Sequence, residues 1–192
     1  MIKSIIFDCF GVLTSDGWLP FAQKHFGNDP IAKQQAHDLS RQVDSGLLDY
    51  DGFVAQVADL AHVEVTQAYK DIENNIANHR LFDYVAQLKK TYKIGLLSNA
   101  GADWLDELFT AEQVALFDAT ALSFEMGITK PYPQAYHTIC DRLGVQPNEA
   151  VFIDDIERYA TGAKDIGMYA IWYKNYDQLK QELEQLLANS NS

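Results

Sequence analysis

Positive charge is scarce in this chain. Across 192 residues, 15 lysines and arginines stand against 27 aspartates and glutamates, a formal net charge of −12. That balance argues against a nucleic-acid partner, because a phosphate backbone needs a basic surface to displace its counterions. Any phosphate ester taken by such a protein must therefore meet positive charge supplied locally, by a lysine and a metal ion. Cysteine is rarer still. Cys9 and Cys140 are the two present, too few for a disulfide framework, and Cys9 reads as a packing residue. Long apolar runs are missing, so no membrane span is expected. The first residues, Met1–Phe7, run directly into a strand-like segment without the charged start and apolar core of a signal peptide. The cytoplasm is the expected location. His25, His37, His62, His79 and His137 lack the paired spacing of a zinc site. What remains is ordinary for a globular protein: 47% hydrophobic and 22% charged residues.

Three short apolar runs have the character of strands buried on both faces: Ser4–Phe7, Ile94–Leu97 and Ala150–Ile153. Ala119–Ser123 and Met168–Trp172 are weaker strand candidates. Helical patterns separate them at Leu81–Thr91, Asp103–Thr110, Pro133–Leu143 and Glu157–Ile166. A last amphipathic stretch, Tyr176–Leu187, runs into a polar tail, Asn189–Ser192, expected to fray. This alternation predicts an α/β fold with a doubly wound, Rossmann-like parallel sheet. The stretch from Asp16 to Asn78 breaks the pattern with successive helices at Leu19–Phe26, Pro30–Val43, Tyr50–Ala61 and Thr66–Ala77. Asp49 is placed to cap one of these, and Asp29-Pro30 to start another. The expected organisation is a core from residues 1–15 and 79–192, with a helical cap from residues 16–78 inserted after the first strand.

In an open parallel sheet, ligands bind outside the carboxyl ends of the strands. Asp8, Ser98-Asn99 and Asp154-Asp155 follow strand candidates directly, and Lys130 lies in the loop beyond Ser123. Each alone is unremarkable, since strand-end aspartates often cap the next helix and lone lysines are usually solvated. Together they would converge on one crevice. Three carboxylates in one place repel each other and demand a counter-ion. All-oxygen ligands favour a hard cation, and Mg²⁺ combines few carboxylates with water and substrate phosphate. A carboxylate nucleophile, a metal, a lysine and a hydroxyl form the inventory of phosphoryl transfer.

Phe7–Thr14, Leu96-Leu97-Ser98-Asn99, Lys130-Pro131-Tyr132-Pro133 and Phe152-Ile153-Asp154-Asp155 resemble the four ordered motifs of the haloacid dehalogenase (HAD) superfamily. Gly162-Ala163 and Gly167-Met168 look like that family's continuation. The resemblance spans nearly the whole chain, and the insert sits where many members carry a small helical cap. Ser98-Asn99-Ala100 with Asp154-Asp155 look most like the sugar-phosphate and phosphoglycolate-type phosphatase branch. It implies that Asp8 attacks phosphorus and becomes an aspartyl-phosphate. The Asp8 carboxylate, the backbone carbonyl of Phe10 and Asp155 would ligate Mg²⁺, with Asp154 holding a coordinated water. Ser98, Asn99 and Lys130 would bind the phosphoryl group of a small phosphorylated metabolite, Lys130 also neutralising Asp8.

One position departs from the resemblance. Phosphatases of the family usually carry a second aspartate two residues after the nucleophile, as general acid and base. Here that position is Phe10, and losing such a group typically costs about 10²–10⁴ in rate. Three readings stay open: phosphoryl transfer limited to good leaving groups or served by another acid; metal-free 2-haloacid dehalogenation by Asp8, since halide leaves without a proton; and a catalytically weak phospho-ligand-binding protein. Asp16, Trp18 and Tyr50 are candidates to face the site from the insert. Substrate identity, and monomer against homodimer, are not legible.

Overall fold

The computed structural model describes residues 1–190. Its sheet comprises β1 (Ser4–Phe7), β2 (Lys93–Ser98), β3 (Ala119–Leu122), β4 (Ala150–Asp154) and β5 (Tyr169–Trp172), all parallel, in the order β3-β2-β1-β4-β5. β1 is central: Ile5 lies opposite Ile94 on one side and Val151 on the other. Every residue of β1 is buried, because helices cover both faces of a parallel sheet.

Alternation along β1 assigns its side chains to two cores. Ile5 and Phe7 join Ile94, Leu96, Val151 and Ile153 on one face. That face is covered by α5 (His79–Leu88), through Leu81 and Val85, and by α11 (Tyr176–Ser190), through Leu179, Leu183 and Leu187. Ile6, Leu97 and Phe152 point the other way, onto α9 (Pro133–Leu143) and α10 (Glu157–Asp165). Gly95 permits the close approach of α9. A Cβ there would lie 2.9 Å from a Leu143 methyl and 3.1 Å from Ile6.

Between β1 and β2 the chain forms α1 (Trp18–Phe26), α2 (Pro30–Asp44), α3 (Tyr50–Ala61) and α4 (Val65–Ile72). These helices bury an apolar cluster of their own, including Phe21, Phe26, Phe53, Val54, Val57 and Ile72. Asp29 caps α2 by accepting from the amides of Ile31 and Ala32, and Asp49 caps α3 by accepting from Gly52 N at 2.7 Å.

The expected helix Thr66–Ala77 stops early, at Ile72. Asn75 explains this by diverting the backbone: its Nδ2 donates to Ile72 O, and its Oδ1 accepts from Gly17 N at 3.0 Å. Residues 73–78 then return alongside the outgoing chain, with Ser15 N donating to Ile76 O and Asn78 N to Leu13 O. The helix expected over Asp103–Thr110 shrinks to the single turn of α6 (Leu105–Leu108), and a further short helix, α7 (Ala111–Val114), follows beyond it. Thr110 forms a reciprocal capping box with Gln113, which starts a new helix. At the end of the chain, α11 continues through Asn189 and Ser190 rather than fraying there, the Ser190 hydroxyl donating to Leu187 O. Asn191 and Ser192 lie outside the described residues.

Candidate active site

The strand order places consecutive connections on opposite sides of β1, so a crevice opens at the carboxyl edge beside it. Asp8 is the first residue past β1, and its amide donates to Ile153 O at 2.9 Å. Asp154 closes β4 and Ser98 closes β2. Lys130 arrives from the loop before α9, and its Nζ lies 2.6 Å from Asp8 Oδ1 and 2.6 Å from Asp154 Oδ2. All three of these charged side chains are buried. The structure therefore brings Asp8, Lys130, Asp154 and Asp155 together.

Charge in this pocket does not balance. One lysine faces three carboxylates whose oxygens can all lie within 4.8 Å of one another. Burial pushes the Asp8 carboxyl well up, and the charge of Asp154 pushes it further; Lys130 pulls it back. Asp155 is raised to about 6, by burial first and then by Asp154. Burial alone would lower the Lys130 ammonium, but Asp154 and Asp8 more than offset it and hold the lysine charged. Asp154 Oδ1 has its own partner, the Ile156 amide at 2.8 Å. Asp155 Oδ1 is buried without a hydrogen-bond partner, a costly arrangement unless a cation completes it. Gly11 packs directly on this carboxylate. Its φ of +83° suits glycine, and a Cβ there would meet Asp155 Oδ2 at 2.3 Å. The donor set is all oxygen and net negative, which fits a hard divalent cation.

Ser98 is buried, and its hydroxyl reaches the Asn99 carbonyl only at 3.5 Å, beyond the range of a good O–H···O bond. Its hydrogen-bonding capacity is thus largely unspent. The Asn99 side chain is already engaged: Oδ1 accepts from Lys130 N at 2.8 Å, while Nδ2 donates to Lys130 O and Tyr159 OH. It brackets the lysine's backbone. The Phe10 ring is partly buried, packs against the sheet core and borders the crevice. Cys9 is buried in the same core.

Above the carboxylates lies a cavity of about 740 Å³ between the sheet edge and the helices of the insert. Asp16, Trp18 and Tyr50 line it, as the sequence suggested. Trp18 meets Phe53 edge-on at 5.0 Å, and Tyr50 meets Trp104 at 4.4 Å, so one wall is a row of aromatic rings. Sequence reasoning missed Asp44, Trp104, Arg158 and Tyr159, which also line it. Trp104 and Tyr159 fall inside the expected helices Asp103–Thr110 and Glu157–Ile166 and carried no separate signal. Asp44 carried none either, because its direction depends on how α2 docks. Ser123 was likewise missed. Fully buried, it accepts from Ala100 N at 3.0 Å and donates to the Asp44 carbonyl, joining the loop after β2 to the end of α2.

Residues 2–167 match the family model described as haloacid dehalogenase-like hydrolase. The chain is 28% identical to D-ribitol-5-phosphate phosphatase of Bacteroides thetaiotaomicron, over 97% of this chain and 99% of that protein. Among solved structures, it resembles a HAD family enzyme of B. thetaiotaomicron in complex with magnesium and inorganic phosphate. The TM-score is 0.72 at 24% identity, covering 93% of this chain and 99% of the other. The L-2-haloacid dehalogenase of Xanthobacter autotrophicus, with chloropropionic acid covalently bound, gives a TM-score of 0.64 at 21% identity, over 96% and 83%. At these identities the structural likenesses speak for the fold.

Proposed function

The chain belongs to the haloacid dehalogenase-like hydrolase family, and from that premise we propose that it is a magnesium-dependent phosphatase of a small phosphorylated metabolite. Residues 1–15 and 79–192 form the catalytic core in this reading, and residues 16–78 the cap that closes over the substrate. The observation that carries it is the uncompensated acid cluster: Asp8, Asp154 and Asp155 around a single lysine, with Asp155 Oδ1 buried and unpartnered.

Asp8, Asp155 and the Phe10 backbone carbonyl are the groups to hold magnesium, with Asp154 supporting a coordinated water. Bound there, the ion supplies positive charge to the phosphoryl oxygens and to the carboxylates. Asp8 attacks phosphorus and carries the phosphoryl group as an aspartyl-phosphate. Lys130, fixed by two ion pairs and by Asn99, offsets charge on Asp8 and on the phosphate. The unspent Ser98 hydroxyl donates to a phosphoryl oxygen. Asn99 acts through its hold on Lys130 and through its place on the cavity wall. The cavity is of the size that encloses small ligands, and the similarity to a D-ribitol-5-phosphate phosphatase supports phosphorylated polyols as the first candidates to assay. No described helix is long and apolar enough to cross a membrane; a cytoplasmic site of action fits a soluble phosphorylated substrate.

The test is release of inorganic phosphate from a phosphorylated-metabolite panel with Mg²⁺, against the same assay in EDTA and against Asp8→Asn. Turnover that needs both the ion and Asp8 is expected. No turnover above the Asp8→Asn background sinks the reading. A second reading rests on Phe10, since halide departure needs no proton; chloride release from 2-chloropropionate, insensitive to EDTA, would establish it. The acid cluster weighs against that chemistry, because a metal-free site gains nothing from three adjacent carboxylates.

A further inference from the structure

An alkoxide leaving group needs a proton, and neither Phe10 nor Lys130, held between two carboxylates, is free to give one. The cavity that Asp8 lines also holds an acid the mechanism has not used. Resting on the phosphatase reading, we propose that Asp44, at the end of α2, is the general acid and base of this enzyme.

Three observations place it. Asp44 lines the same cavity as Asp8. Its side chain makes no hydrogen bond with any described residue, although its backbone is fixed. Ser123 donates to the Asp44 backbone carbonyl while also holding Ala100, so the backbone at Asp44 is anchored to the loop that follows Ser98 and Asn99. The turn after α2 adds a second tether, for Gly46 at φ +71° packs so closely on Phe124 O that a Cβ would lie 3.0 Å from it. The insert thus fixes the backbone that carries this carboxyl on the wall of the cavity that Asp8 also lines.

Its acidity suits the task. Burial raises the Asp44 carboxyl to about 7; Lys130 draws it down and Asp16 pushes it up. A group near neutrality can both give and take a proton. In the first step the Asp8 oxygen bonds to phosphorus, the ester P–O bond breaks, and the Asp44 proton passes to the departing oxygen. In the second, the Asp44 carboxylate takes a proton from water as that water's oxygen bonds to phosphorus. The Asp8–phosphorus bond breaks, inorganic phosphate leaves, and Asp44 is protonated again.

Asp16 is the rival acid in the same cavity. It is raised by burial, but its Oδ1 already accepts from Leu19 N, in the first turn of α1, at 3.0 Å.

The experiment measures kcat/KM for a series of aryl phosphates of rising leaving-group pKa, ending in an alkyl phosphate. It is run with Mg²⁺ on wild type, Asp44→Asn, Asp16→Asn and Asp8→Asn. A shallow dependence is expected for wild type and Asp16→Asn. Asp44→Asn should steepen it, losing about 10²–10⁴ on the alkyl ester and far less on 4-nitrophenyl phosphate. Added formate should restore part of the alkyl rate in Asp44→Ala. Parallel slopes for wild type and Asp44→Asn, or steepening in Asp16→Asn instead, overturn the assignment while leaving Asp8-dependent turnover intact. Absence of wild-type turnover on every ester overturns the phosphatase reading and this one with it.

Discussion

Lys130 is the residue on which the buried charges depend. Two ion pairs of 2.6 Å hold it between Asp8 and Asp154, all three side chains being buried. Removing one partner of a buried pair leaves uncompensated charge, a loss of about 3–5 kcal/mol in comparable cases. Lys130→Ala should therefore lower the melting temperature strongly in EDTA and lose catalysis. If the acid cluster binds a cation, added Mg²⁺ should recover more stability in this variant than in wild type. Equal recovery, read by thermal melting, would separate Lys130 from the metal site.

Asp44 makes the opposite case at the same scale. An unfolded aspartate ionises near its ordinary 3.8, whereas in the fold this carboxyl keeps its proton until about 7. The folded state is thus favoured at low pH, and that contribution is lost as pH rises through the window between those values. Asparagine cannot ionise and escapes the loss. Asp44→Asn should match wild type near pH 4 and melt higher above pH 7, in EDTA. At about 1.36 kcal/mol per pH unit across the window, the ceiling is near 4 kcal/mol, and water entering the cavity should leave roughly 1–2 kcal/mol. A difference independent of pH would show that the carboxyl titrates normally. A side chain whose ionisation destabilises the fold is what a functional site retains at the expense of stability.

At the scale of elements, Gly95 and Asn75 govern how two layers meet the sheet. A Cβ at position 95 would press on Leu143, Ile6 and Ile139, all within 3.3 Å. Gly95→Ala should destabilise by about 1–3 kcal/mol through overpacking, checked by denaturant unfolding; no change in midpoint would mean that α9 shifts freely. Strands and their carboxyl-end residues were legible because a buried parallel strand is a short apolar run, and the topology brings every such end to one edge. Asp8, Asp154 and Asp155 followed from that rule; Lys130, in the loop well beyond β3, drew on the motif resemblance as well. Helix ends were less legible where a side chain intervened, as Asn75 does at Ile72 and Thr110 does between α6 and α7. The insert's contribution was hidden for a different reason. Helical periodicity tells which face of α2 packs, but not that Ser123, nearly eighty residues on, would fasten its last turn above the nucleophile.

For the whole molecule, the central question is why a chain of net charge −12 gathers three of its carboxylates at the heart of its fold. Self-repulsion destabilises the compact state, and Asp155 Oδ1 is left without a hydrogen-bond partner among the described residues. An ion that binds the folded cluster but not the dispersed chain reverses that deficit, stabilising by about 2.7 kcal/mol at a hundredfold excess over its Kd. For a chain of this length each kcal/mol moves the melting temperature by roughly 2–4 °C, so saturating Mg²⁺ should raise it by about 5–10 °C. Asp155→Asn should abolish most of that rise while leaving the sheet intact by circular dichroism, and Gly11→Ala, which drives a methyl into the Asp155 carboxylate, should do the same. Calorimetry in Mg²⁺ and in EDTA decides the matter without any assay of turnover. A melting temperature indifferent to magnesium, or a shift that persists in Asp155→Asn, would mean that the cluster balances its charge by holding protons, and Asp8 would then have no ionised neighbour-supported state from which to attack.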